Sequence, residues 1–465
     1  MFETIKNCFK IKEIRKKIWI TLGLLLIFRL GCYIPVPGID PGTFGEAIKN
    51  NDFLQLMSSI TGDSLSNATL FALGISPYIN ASIIIQLLTV GIPALERLSK
   101  QGEDGRKKIA QITRYVTIAL AIAQAIGIIV NFGIQGDALS LEFFGYFEDN
   151  ASMSIISETG AKVLAGIFLT VVYTAGSMLV MWIGERITEY GVANGISLII
   201  FIGIISTAGL TIVDRFAEAF GIGSQYAGKA DPSVLWEVLG FVLLTIVEFA
   251  AIVTVDLSER KIPVQYAKQV KGRKMYGGQS SVIPIKISGS GVMPLIFAFA
   301  IISFPNMIIS MFWPNSAANT NITNWFSGSS PYWYGQLIYM VVLCLLIFAF
   351  AFFYASMQFN PEDVSKTIQQ NGGFIQGIRP GKPTAQYLKR INNRITLFGA
   401  IYLSIVAFIP SILSMVLTSL NVIHDASLLS VFSTTGILIV VSVAMELDKQ
   451  LEAQLMMKNY KGFLK

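Results

Sequence analysis

Charge is scarce in this chain. Only 14% of its 465 residues are Asp, Glu, Lys or Arg, against about 25% in a soluble protein. Histidine is nearly missing: His424 stands alone, and a lone histidine beside an expected outer loop reads as a surface residue rather than a ligand. Cysteine occurs three times, as Cys8, Cys32 and Cys344, with no CxxC spacing. That pattern supplies neither a disulfide framework nor a zinc site. The sequence contains no GxxxxGK[ST] phosphate cradle and no GxGxxG after a strand. One peripheral histidine cannot complete a Ser/His/Asp or Cys/His arrangement. The expectation is a non-enzymatic protein without cofactor or metal.

What the chain has is apolar length. Hydrophobic residues make up 53% of it and mean hydropathy is +0.60. Ten runs reach the roughly 20 residues needed to cross a bilayer: 18–36, 69–92, 109–132, 161–183, 196–213, 235–255, 288–312, 336–357, 395–418 and 429–446. The N-terminal stretch MFETIKNCFKIKEIRKK is basic and amphipathic, and the first run ends in CYIPVPG without a small-residue cleavage pattern, so that run is expected to remain as a span. The fold class is an all-α polytopic membrane protein.

Basic residues test the count. With the N-terminus in the cytoplasm, 29 Lys and Arg fall in cytoplasmic segments and 4 in the opposite loops. Such a split favours ten spans with both termini inside. Ten spans divide into five and five, and an odd number per half makes the halves run oppositely, the topology of an inverted repeat. The natural join is the outer loop near 214–234, giving expected halves 1–230 and 231–465.

Several features could carry chemistry. Arg29 and Glu248 fall inside spans, where a charge is costly and is a functional candidate by default. The plainer reading is that each meets a polar partner in the bundle or reaches water. Span 2, FALGISPYINASIIIQLLT, carries Gly74, Pro77, Asn80, Ser82 and Gln86, and span 7 carries Gly289, Gly291, Pro294, Pro305 and Asn306. Broken backbone at membrane depth is tolerated where it lines a cavity or is buried in protein. Ile75 and Ile79, and Ile196 and Ile200, are each four apart, so each pair stacks on one helix face. Such faces suit an apolar collar that excludes ions by dewetting, or an ordinary core. The basic segments 256–281 and 371–390 are long, Gly/Pro-punctuated and interleaved with Tyr. Positive-inside bias explains their charge, and their length suits docking to an acidic protein surface or to RNA phosphates.

These stretches together resemble the SecY/Sec61-alpha family of protein-conducting channels. The resemblance rests on FRLGCYIPVPGID, LFALGISPYINASIIIQLL, KQGEDGRKKIAQITRY, WIGERITEYGVANGISLIIF, ERKIPVQYAK, GGQSSVIPIKISGSGVMPLIFA, FNPEDVSKTIQQNGGFIQGIRPGKPTAQYL and TTGILIVVSVAME, in this order. It implies two pseudo-symmetric, inverted five-helix halves around an hourglass pore. A ring of six apolar side chains would fall on Ile75, Ile79, Ile196, Ile200, Ile296 and Ile439. A plug half-helix would span about 61–73, with Thr61, Ser64, Leu65, Leu70, Phe71 and Leu73. A lateral gate between spans 2 and 7 would use Asn80, Ser82, Gln86, Gln124, Ser303 and Asn306. A cytoplasmic docking platform would use Arg260, Lys261, Lys268, Arg273, Lys274 and, above all, Arg379.

The resemblance further implies SecE and SecG as companion subunits, and the SecA motor or the ribosome as the source of force. Signal sequences and unfolded secretory chains would be the cargo, membrane lipid would lie beyond the gate, and the bacterial plasma membrane would be the location. The chain itself would be a passive pore. A secondary transporter for a small solute, or a membrane scaffold, are the alternatives from other classes; the first would show a midplane pocket with convergent charges.

Overall fold

The computed structural model describes residues 7–49, 54, 58, 61–99, 101–134, 138–146, 157–222, 233–266, 269–271, 274–276, 280–287, 293–312, 316–326, 330, 332–419 and 434–462. His424, Lys268, Arg273, Gly289 and Gly291 lie outside them.

A helix lies over each of the ten expected spans. These are α1 (Lys12–Gly31), α3 (Ser76–Gly91), α5 (Glu103–Ile128), α6 (Glu158–Tyr190), α7 (Gly195–Phe220), α8 (Ser233–Leu257), α9 (Met293–Phe312), α11 (Trp333–Gln358), α13 (Lys382–Ser419) and α14 (Thr434–Gly462). Shorter helices are α2 (Pro41–Lys49), α4 (Pro93–Ser99), α10 (Ala317–Phe326) and α12 (Pro361–Gln370). Six of the described helices are long and apolar enough to cross a membrane unaided, and α3 with α4 adds a broken pair bent by 105°. The protein is a multi-pass membrane protein.

Local chemistry explains the limits. The first span is shifted towards the N-terminus: α1 stops at Gly31, because the following CYIPVPG contains two prolines that cannot continue a helix. Span 2 starts later than expected. α3 begins at Ser76, with Pro77 in its first turn, where the missing N–H costs nothing. The break in this span lies at its other end, at Ile92 before Pro93. Asp40 sits one residue ahead of α2 and accepts from Thr43 N and Oγ1 and from Gly42 N. These donors hold its carboxyl below the usual range.

The chain gathers into two compact units. One comprises Met1–Asp231, Ser303–Gln336 and Val443–Lys465, the other Pro232–Ile302 and Leu337–Ser442. In the first unit, α5 packs on α3 and α6, and α6 on α7. Arg114 of α5, a basic residue within the expected span 109–132, forks onto both carboxylate oxygens of Glu185 of α6, at 2.8 and 2.9 Å. The α6–α7 hairpin is tight. Asn194 caps α7 by accepting from Ile196 N at 3.1 Å, and a Cβ on Gly195 would strike the Gly184 carbonyl.

In the second unit, the basic segments that read as loops form a sheet. Strand β1 (Glu259–Tyr266) pairs antiparallel with β4 (Ser280–Lys286), from Glu259↔Lys286 to Gln265↔Ser280. It also pairs with β5 (Gly373–Phe374), through Gln265↔Phe374 and Tyr266↔Gly373. Between β1 and β4, β2 (Gln269–Lys271) pairs with β3 (Lys274–Tyr276). Ile262 and Val264 alternate inward from β1 and bury against Ile285, Ile368, Ile375, Leu388 and Ile391, the period-2 pattern of a half-buried strand.

Replacing Gly195 with Val should destabilise the α6–α7 hairpin by about 1–3 kcal/mol, the usual cost of overpacking. Thermal unfolding of the purified protein should show a lowered midpoint for Gly195→Val. Gly209→Ala, with open space around its Cβ, should match the parent.

Candidate functional site

The residues expected to form a plug lie between α1 and α3. From Thr61 to Ile75 the chain runs through successive turns rather than a regular half-helix. Asp63 and Ala68 have positive φ, 63° and 48°, which interrupts helical hydrogen bonding. The segment is nevertheless fixed. Leu70 N donates to Ile34 O at 2.9 Å, and Val36 N to Ala68 O at 3.1 Å. Arg29 Nη1 donates to Gly62 O at 3.1 Å, and the Cys32 thiol to Thr61 O at 3.8 Å. Within the segment, Ser64 Oγ donates to Thr61 O at 2.9 Å and Thr69 Oγ1 to Ser64 O at 3.1 Å.

Apolar packing covers the same segment. Leu65, Ala68, Ala72 and Leu73 bury in a cluster with Ala125, Ile128, Ile129, Leu169 and Tyr173, and Phe304 and Ile308 of α9 pack against it. Phe71 stacks on Phe28 of α1 at 5.9 Å and 9°, an arrangement worth about 0.5–1.5 kcal/mol beyond area burial.

Gly74 closes the segment with φ +52°, a conformation that favours glycine. Ser177 Oγ of α6 donates to its carbonyl at 3.0 Å. One residue later Ile75 forms the N-cap of α3, buried, and Ile79 follows one turn on, its N–H bonded to Ile75 O at 3.1 Å. Ile196 and Ile200 occupy the first turns of α7, Ile200 buried and Ile196 half-buried. These four isoleucines therefore sit at two helix starts in one unit. Ile296 on α9 and the buried Ile439 on α14 belong to the other unit.

Of the expected gate residues, Gln86 Nε2 donates to Ser82 Oγ at 3.3 Å along one face of α3, with Asn80 half-buried on the same helix. Gln124 is buried on α5, Ser303 is half-buried on α9, and Asn306 lies within the α9 helix. Glu248 is buried on α8, and its Oε1 has no hydrogen-bond partner among the described residues.

Of the residues expected to dock a partner, Arg260, Lys261 and Arg379 are exposed. Arg260 and Lys261 lie on β1, Lys261 3.4 Å from Glu259 Oε1. Lys274 lies on β3. Arg379 stands in a turn braced by side chains behind it: Thr384 Oγ1 donates to Arg379 O at 2.8 Å, and Ser365 Oγ to Gly381 O at 2.7 Å. The charge is thus presented from a rigid base. Sequence reading missed that β5 ties this turn to β1. The alternation of Ile262 with Val264, and of Ile283 with Ile285, was the available signal.

The same architecture occurs in solved channels. "The structure of a protein conducting channel" superposes with TM-score 0.64 at 20% identity, covering 94% of this chain and 92% of that one. Sec61 in the canine ribosome-channel complex from the endoplasmic reticulum gives 0.61 at 19%, over 94% and 92%. The fold is therefore that of a protein-conducting channel. At the level of sequence, the SecY family model matches residues 69–447. Protein translocase subunit SecY of Streptomyces griseus is 39% identical over 100% of both chains, and that of Staphylococcus carnosus is 37% identical over 100% of this chain and 99% of its own. The chain belongs to the SecY family.

Cys32 is 2% exposed beneath Thr61, so its thiol reports on the segment above it. In a Cys8→Ser, Cys344→Ser background, labelling by a membrane-permeant maleimide should be slow. Excising residues 62–70 should speed it several-fold. Equal rates would show that the segment does not shield Cys32.

Proposed function

We propose that this chain is the channel subunit of a protein translocase, a passive pore for unfolded secretory polypeptides that also releases signal sequences and membrane helices into lipid. One observation carries the reading: a sealed, irregular segment ends at Gly74, and the helix bearing Ile75 and Ile79 begins within two residues. An irregular backbone buried at membrane depth next to an apolar helix start suits a plug seated on a constriction.

Family membership supports the rest. The two halves, 1–230 and 231–465, would enclose the pore, with Ile75, Ile79, Ile196, Ile200, Ile296 and Ile439 as its ring. Isoleucine suits this role because it excludes water while binding no passing side chain strongly. Segment 61–73 would be the plug. Asn80, Ser82, Gln86, Gln124, Ser303 and Asn306 would line the gate through which a signal sequence separates spans 2 and 7.

Arg260, Lys261, Lys268, Arg273, Lys274 and Arg379 would dock the SecA motor or the ribosome, which supplies force. A solved relative by fold is a ribosome-channel complex. SecE and SecG would be the companion subunits. The 29-to-4 distribution of basic residues supports cytoplasmic termini, and the bacterial relatives support placement in the bacterial plasma membrane.

Substituting Asn at Ile79 and Ile200 should wet the constriction and raise the ion conductance of the idle channel in planar bilayers; unchanged conductance would remove those two residues from the ring. Arg379→Glu should reduce motor-driven export of a preprotein into reconstituted vesicles while the complex assembles normally. Export at the parental rate would overturn the docking role.

A further inference from the structure

Arg29 is half-buried in the last turn of α1. A cation there complements the helix dipole, and a side chain of this length could simply reach outward to water. It does not do only that. Nη1 donates to the Gly62 carbonyl at 3.1 Å, and Nη2 donates to Tyr33 Oη at 3.2 Å. The guanidinium carbon also lies 5.0 Å from the centre of the Tyr33 ring. The charge therefore links an anchor just past the end of its own helix to the main chain of segment 61–73.

The position of the contact matters. A Cβ on Gly62 would lie 3.4 Å from Gly203 Cα on α7, and Gly203 is three residues beyond Ile200. Arg29 thus grips the first turn of the segment where it rests against α7. Phe28, the preceding residue of α1, stacks on Phe71 near the other end. The two holds differ in kind. Phe28–Phe71 is non-directional packing, whereas a charged donor on a carbonyl is directional and about twice as strong as a neutral bond. It can also be exchanged for water: Tyr33 is 59% exposed, so the guanidinium stays solvated on that side when the carbonyl leaves.

We propose that Arg29 is a latch on the plug, a positioning residue whose bond to the Gly62 carbonyl sets how readily the idle channel opens and how strong a signal sequence must be to open it. This rests on segment 61–73 being the plug.

The test uses the full channel complex reconstituted in bilayers and vesicles. Arg29→Gln should raise the idle open probability about ten-fold, equivalent to about 1.4 kcal/mol. It should also raise export of a preprotein with a weakened signal sequence relative to the same preprotein with its intact one. Arg29→Lys, which keeps charge without the fork, should fall between Gln and parent. A plug excision lacking residues 62–70 runs in parallel. Raised leak in the excision with parental leak and signal ratio in Arg29→Gln would overturn the latch and leave the plug standing. Unchanged leak in the excision would overturn the plug itself. If Arg29→Gln fails to accumulate, Tyr33→Leu removes both the hydroxyl and the ring that hold the guanidinium, at an exposed site, and should raise leak and signal ratio in the same direction; parental values there would also overturn the latch.

Discussion

A membrane interior offers no water to a free peptide group, and this constraint organises the first unit. Residues 61–75 follow no regular helix, yet the chain around them reads as spanning the bilayer. Every carbonyl or N–H left open there needs a partner from the protein. Some partners lie within the segment, and the others come from its neighbours: Ile34 O and Val36 N from the extended stretch after α1, Arg29 from α1, Cys32 from its C-cap, and Ser177 from α6. The early stop of α1 at Gly31 is part of the same solution, since a helix continued through Pro35 could not have offered Ile34 and Val36 for pairing. Burial of Leu65, Ala68, Ala72 and Leu73 then adds apolar stabilisation to a backbone already satisfied.

Much of this was legible in the sequence. Ten apolar runs and the segregation of basic residues located the spans, because hydropathy responds directly to the solvent. The helix-breakers Gly74 and Pro77 correctly marked a division of span 2. Their offset could not be read: hydropathy does not distinguish an apolar turn from an apolar helix, so FALG was counted into a span that begins at Ser76. The expected limit at residue 92 matches the break before Pro93, but the short helix α4 beyond it has no signal in a charged stretch that resembles a loop. Two basic residues within expected spans, Arg29 and Arg114, found partners 33 and 71 residues away, and no local pattern announces a contact of that range.

The basic segments behave differently. Positive charge and glycine made 256–281 look like a loop, while the apolar alternation within it was short. Strand β1 joins β4 to β5, which begins 87 residues after β4 ends, one on either side of it. The exposed Arg260 and the turn carrying Arg379 therefore share one framework, braced by Ser365 and Thr384. A body pressing on one meets a surface that moves as a unit.

The holds on segment 61–75 have a further consequence for how such a protein changes over generations. Arg29 reaches the carbonyl of Gly62, Cys32 that of Thr61, Ser177 that of Gly74, and Val36 that of Ala68. Each addresses the main chain, which every sequence possesses. Away from Gly62, where a Cβ would meet Arg29 Nη1, and Gly74, whose φ favours glycine, side chains in the segment can then be exchanged without releasing a hold from outside it. A segment held in this way is inherited through its neighbours, and most of its own side chains are free to drift.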